Sequence, residues 1–188
     1  DGRRTGHNTD WSGFYESFRR GLPDVTLDCA LQLGAGGAGA AVAHAMLGLG
    51  IGRLLIHDIQ PDRAAELAQA LNDRAGRKLA ETAGDVRDAM RAASGLIQTT
   101  PVGMVAHPGL PLDPALIEPR HWVADIVYFP LETGLLAAAR ARGCRVLSGG
   151  GMAVFQAAGA FQLFTGLAPD SARMLAHFTE LQGMGERA

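Results

Sequence analysis

Several things are scarce in this 188-residue sequence. Cysteine occurs twice, at Cys29 and Cys144, each inside an apolar run. Two are too few for a disulfide framework and fit buried thiols of a cytosolic, cytoplasmic protein. Net charge is small: 17 basic against 19 acidic residues leave −2, so nothing draws the chain to nucleic acid or to an anionic membrane. No apolar run reaches the roughly 20 residues that span a bilayer, and no secretory signal pattern is visible. The six histidines, His7, His44, His57, His107, His121 and His177, lack metal-ligand spacing, so no metal site is expected. Repeats and low-complexity tracts are missing apart from an Ala/Gly bias. What is present is 47 % hydrophobic, enough for the core of one large domain, or of one domain and part of a second.

The most informative stretch runs from Leu31 to His44. An apolar run, Cys29 to Leu33, meets Gly34, Gly36, Gly37 and Gly39, and an alanine-rich segment follows. That order reads as strand, tight turn and helix. Gly34-x-Gly36-x-x-Gly39 fits the dinucleotide fingerprint: the first glycine permits the turn, the second lets a pyrophosphate approach, and the third lets helix and strand pack closely. The first helical N–H groups would then face the phosphates. A second apolar run, Leu54 to Ile56, leads to Asp58, about 20 residues past the glycines, where a ribose-binding acid belongs. A merely structural turn is the alternative.

The rest of the chain alternates strand and helix signals. Trp11, Phe14, Tyr15 and Phe18 share one helix face, and Asn8-Thr9-Asp10 offer its N-caps. Trp11 and Trp122 read as core anchors. Arg53 to Asp58 is a strand, and Pro61 suits the first position of the next helix. Lys78–Ala83, Gly95–Thr99, Trp122–Val127 and Cys144–Leu147 read as further strands. Asp85–Ala93 and Leu131–Arg142 read as helices. Four prolines make Val105–Arg120 loop-rich. Gly149-Gly-Gly151 reads as a flexible joint, followed by an apolar helix from Met152 to Phe164 and an amphipathic one from Pro169 to about Gln182. Such alternation predicts an α/β, Rossmann-like, doubly wound parallel sheet with helices on both faces.

Five motifs in order resemble the shikimate/quinate dehydrogenase family: Gly6-His-Asn-Thr-Asp-Trp-Ser-Gly13, Gly34-Ala-Gly-Gly-Ala38, Thr99-Thr-Pro-Val-Gly-Met104, Asp125-Ile-Val-Tyr-Phe-Pro-Leu-Glu-Thr133 and Gly149-Gly-Gly-Met-Ala-Val-Phe-Gln-Ala157. The resemblance implies an NAD(P)-dependent oxidoreductase acting on a ring hydroxyl of a carboxylated polyol, interconverting 3-dehydroshikimate and shikimate or the quinate pair. It implies three parts: an interdomain helix over 1–21, a cofactor-binding Rossmann domain over 22–148, and helices over 149–188 that return to a substrate domain. The chain opens on Asp1 with a motif already under way, so that substrate domain is expected in residues that precede it, and this fragment alone is expected to be inactive.

The resemblance also implies the site. Asp10 matches the catalytic aspartate, which works with a lysine of the substrate domain; an ordinary helix N-cap is its bland alternative. Tyr128 and Gln156 match residues beside the substrate, and Asn8 is a turn former that also adjoins it. Around the cofactor come Gly34, Ala35, Gly36, Gly37, Ala38, Asp58, Arg63, Thr99, Thr100, Pro101, Val127, Gly149 and Met152. Gln98 stands where the family usually has Asn. Relatives that use NADP carry an Asn-Arg-Thr turn where this chain has Asp58-Ile-Gln60, which implies NAD in preference to NADP, with Arg63 as the residue that would help a phosphate. The expected partner is a small molecule, and a homodimer is left open. The rivals are another two-domain Rossmann dehydrogenase, such as a methylene-tetrahydrofolate type, a non-catalytic nucleotide-sensing module, and a structural oligomerisation domain.

Overall fold

The structure is a computed structural model that describes residues 2–185. Six strands form one sheet: β1 (Cys29–Leu33), β2 (Arg53–His57), β3 (Ala80–Thr82), β4 (Gly95–Gln98), β5 (Trp122–Asp125) and β6 (Arg145–Leu147). Their order is β3-β2-β1-β4-β5-β6, and every pairing is parallel. The order reverses between β1 and β4, which opens a crevice at the carboxyl ends of these two strands, the usual place for a ligand in such a sheet. β1, β4 and β5 are buried at every position, because helices cover both faces.

Seven helices complete the described chain: α1 (Asp10–Gly21), α2 (Gly37–Gly48), α3 (Pro61–Ala75), α4 (Val86–Ala92), α5 (Gly134–Ala141), α6 (Gly150–Thr165) and α7 (Ser171–Gly185). α1, α2 and α3 cover one face, where Phe14, Phe18, Met46, Ile56 and Leu71 are buried together. α4, α5 and a short 3-10 turn at Pro114–Leu116 cover the other, over Leu31, Leu96, Val123 and Leu136. Local chemistry sets the ends. Pro61 opens α3 and Gly76, at φ 64°, closes it; Asp85 caps α4 and Thr133 caps α5.

Several boundaries differ from the sequence expectation. β5 stops at Asp125 because its side chain accepts the Val127 N–H and turns the chain out of the sheet. α5 starts at Gly134, three residues late, because Thr133 is its cap. β3 is a short edge strand of three residues. Gly149-Gly-Gly151 is no flexible joint. Gly149 caps α6, and Gly150 and Gly151 form its first turn. A methyl at Gly149 would strike the Ile126 carbonyl, and one at Gly151 would strike the Ser17 hydroxyl, so these glycines serve close packing. Trp122 is the core anchor expected, with its ring 5.0 Å from that of Phe18 and Nε1 donating to Thr26 O. Trp11 is not one. It lies in the first turn of α1, 46 % exposed, with its ring edge-on to that of Tyr15 at 6.5 Å.

Candidate active site

The glycine turn forms as its residues dictate. Gly34 has φ +97°, and a methyl there would lie 2.8 Å from Thr99 Oγ1. Gly39 lets α2 sit directly over the turn, since a methyl would lie within 2.9 Å of both Gly34 O and Thr99 Oγ1. Nothing stands within 4 Å of where side chains would project at Gly36 and Gly37. The turn therefore offers an open cradle at a helix N-terminus, which fits a dinucleotide pyrophosphate. Gln32 is fully buried beneath it and donates from Nε2 to Gly34 O at 2.8 Å and Gly39 O at 3.0 Å. The Thr99 hydroxyl donates to Leu33 O at 2.7 Å, so that side chain braces the turn.

Asp58, half-buried at the end of β2, reaches the turn from the side. Its Oδ2 accepts the Ala35 N–H at 2.7 Å and its Oδ1 accepts the Gln60 N–H at 2.8 Å. A carboxylate has further lone pairs for hydroxyl donors. Arg63 stands exposed on the first turn of α3 and is not among the residues lining the hollow at Asp58. After β4, the buried Gln98 donates to Thr100 Oγ1 at 2.7 Å and Val102 O at 2.8 Å, holding the loop that carries Thr100 and Pro101.

Beside the turn lies a cavity of about 450 Å³. Asp10 comes from the first turn of α1, Ala38 from α2, Ile126 and Tyr128 from the loop after β5, and Met152 and Gln156 from α6. Segments far apart in sequence thus bring Asp10, Tyr128 and Gln156 to one space, next to the glycine turn through Ala38. Thr9 Oγ1 lies 3.4 Å from Gln156 Oε1 and links α1 to α6. Met152 is 8 % exposed and both lines the cavity and packs in the core. Val127 is buried, and its carbonyl accepts the Gly149 N–H at 3.2 Å.

Two expectations change here. Asp10 is not an N-cap: it is the first residue of α1, and Thr9 occupies the cap position without a side-chain hydrogen bond. Asn8 is not brought to the cavity. Its Oδ1 accepts the Asp10 N–H at 2.9 Å, as a turn former does, and it lines a separate groove with Trp11 and His44. No cluster of metal-ligating side chains occurs among the described residues.

No family model matches the chain. It is 57 % identical over 185 residues to a shikimate dehydrogenase (NADP(+)) of Streptomyces avermitilis, covering 97 % of this chain and 64 % of that protein. It is 49 % identical to a quinate/shikimate dehydrogenase (NAD(+)) of Corynebacterium efficiens, covering 96 % and 64 %. The solved structure of quinate dehydrogenase from Corynebacterium glutamicum in complex with NAD superposes with a TM-score of 0.90 at 46 % identity, covering 94 % of this chain and 63 % of that one. Over nearly all of its length the chain is similar to shikimate and quinate/shikimate dehydrogenases. It spans just under two thirds of the length of these relatives.

Both dinucleotides occur among these relatives, NADP(+) in one relative's name and NAD(+) in another's. The chain has a single lysine, Lys78, and it pairs with Glu81 at 3.1 Å beside the edge strand β3, away from the residues that line the cavity. Sequence reading marked Gln98 as a departure from the family's usual Asn but gave a bracing role to none of Gln32, Gln98, Asp125 and Thr133. The one available signal was Gln32, a polar residue interrupting an apolar strand.

Proposed function

We propose that this chain is the cofactor-binding part, with the returning helices, of an NAD(P)-dependent oxidoreductase. That enzyme oxidises a ring hydroxyl of a shikimate- or quinate-type acid to the ketone, and reduces the ketone back, in the cytoplasm. The observation that carries this reading is the meeting of Asp10, Tyr128 and Gln156 in one cavity beside the glycine turn. When bound, the nicotinamide supplies hydride acceptance. The chain's own residues do the rest. The glycine turn and the first amides of α2 would hold the pyrophosphate, and Met152, which lines the cavity, would pack against the nicotinamide. Gln156 offers both a donor and acceptors to substrate hydroxyls. As hydride leaves carbon, the hydroxyl proton passes to a base that Asp10 orients and charges. That base is a lysine outside this chain, because Lys78, the single lysine here, is not among the residues that line the cavity. The substrate carboxylate is likewise held by residues of a further domain, so substrate choice lies there too.

NAD is the preferred cofactor in this reading. Asp58 is fixed by two backbone amides, so a 2′-phosphate would meet a carboxylate that cannot swing away. The turn Asp58-Ile59-Gln60 brings no arginine to neutralise it, and Arg63 lies exposed on the first turn of α3. Calorimetric titration of both dinucleotides is the test, with ring-alcohol oxidation measured by absorbance on the same sample. NAD binds more tightly than NADP, Asp58→Ala narrows the difference, and the chain alone does not turn over shikimate or quinate. Tighter NADP binding would defeat the cofactor assignment. Robust turnover by the chain alone would defeat the two-domain reading.

A further inference from the structure

Asp125 takes no part in the chemistry above, yet it is a carboxylate only 2 % exposed at the carboxyl end of β5. Its Oδ1 accepts the Val127 N–H at 3.0 Å, and its Oδ2 accepts the Thr133 hydroxyl at 2.8 Å. Thr133 is 1 % exposed and caps α5, its Oγ1 accepting the Leu136 N–H at 3.2 Å. A hydroxyl has one proton, and here it points to Asp125. One side chain therefore ties down both ends of the segment between β5 and α5. Within that segment lie Ile126 and Tyr128, which line the cavity. Elsewhere the segment is held at its start, where the Ile126 N–H donates to Gln98 O at 3.1 Å and Val127 O accepts the Gly149 N–H at 3.2 Å, while Tyr128 is 51 % and Phe129 56 % exposed. It leans on Gly149, where a side chain would collide with the Ile126 carbonyl.

The chemistry of the tie calls for a carboxylate. Two donors converge on one buried group, and a carboxylate accepts both without presenting a donor of its own. The residue paired with Asp125 on β4 is the neutral Gln98, and α5 presents the Thr133 hydroxyl. Burying such a group is costly unless its hydrogen bonds are satisfied, and both oxygens are.

We propose that Asp125 is a positioning residue that, through Val127 and Thr133, holds Tyr128 and Ile126 in register with Asp10 and Gln156. The proposal rests on reading that cavity as the substrate site. Its test uses the full-length enzyme that carries this chain, with Asp125→Asn, Thr133→Val and Thr133→Ser. In Asp125→Asn and Thr133→Val, the KM for shikimate or quinate rises by about tenfold to a hundredfold. Meanwhile the Kd for the dinucleotide, whose expected neighbours include Val127, rises by less than KM does, and Thr133→Ser, which keeps the hydroxyl, restores KM. Hydrogen exchange supplies a second readout: amides of residues 126–132 exchange faster in the two disrupted variants, and the rest of the sheet does not. Unchanged KM in folded variants would overturn the proposal. So would faster exchange spread over the whole chain, which marks a general loss of stability. A wild-type enzyme inactive on both acids would sink the functional reading, and the exchange measurement would still decide whether Asp125 fixes the segment.

Discussion

Asp10 is where the structure most changes the argument for a single residue. It is the first residue of α1, and its own N–H is held by Asn8. Replacing it by Asn removes no cap. It removes only a favourable charge at a helix N-terminus, about 0.3–1 kcal/mol. In the full-length enzyme, Asp10→Asn is therefore expected to cut turnover by about 10²–10⁴-fold with a nearly unchanged melting temperature; steady-state kinetics and a thermal melt on one preparation check this. The glycines of the turn were legible because only glycine fits a positive φ or a helix seated on a strand end. Gln98, Asp125 and Thr133 were not. Their roles come from burial and from partners several residues away, and a polar residue at a strand end looks the same in sequence whether it meets water or a loop amide.

Among elements, the strands and helices around the glycine turn followed their periodicity, while the ends decided by side-chain bonds shifted by a few residues. The contact of α1 with α6 was not legible. It depends on Gly13, where a methyl would lie 2.7 Å from Gln156 N and 2.8 Å from Met152 O. Both obstacles are backbone atoms of α6 and cannot rotate away. Gly13→Ala should push the two helices apart, at about 1–3 kcal/mol as for other overpacked sites. It should also separate Asp10 from Gln156. The expected result is a lower melting temperature together with a fall in kcat/KM larger than the fall in dinucleotide affinity. A variant with normal stability and kinetics would show that the helices adapt.

For the whole molecule, pH makes the buried braces measurable. Burial raises the Asp125 carboxyl from 3.8 to about 6, with the Val127 and Thr133 hydrogen bonds working against that rise. Between about pH 4 and 6 the folded chain keeps a proton that the unfolded chain has released. This group's contribution to stability is therefore largest at the acid end and falls as pH rises through that window, by on the order of 3 kcal/mol. His44 and His121 act oppositely: burial lowers both, with Arg74 and Arg120 adding to it, so their contribution is present above the ordinary histidine range and is lost as pH falls. Denaturant melts from pH 4 to 8 on wild type and Asp125→Asn separate the two. The difference between the curves should change through pH 4–6 and be flat above; a constant difference would place the carboxyl at its ordinary value. At the same scale, Phe164 in the last turn of α6, at 90 % exposure, and Leu167 just past its end, at 63 %, leave an exposed apolar spot.

The three buried braces share a property that bears on engineering. Gln32 ties residues 34 and 39, Gln98 ties residues 100 and 102, and Asp125 ties residues 127 and 133. Each strand end carries the fastening for its own loop, all within eight residues. A loop and its fastening thus travel together as a cassette. A segment such as 122–134 exchanged as one piece with the matching segment of a relative should bring its geometry along, whereas the exposed loop residues moved without their buried anchor should not.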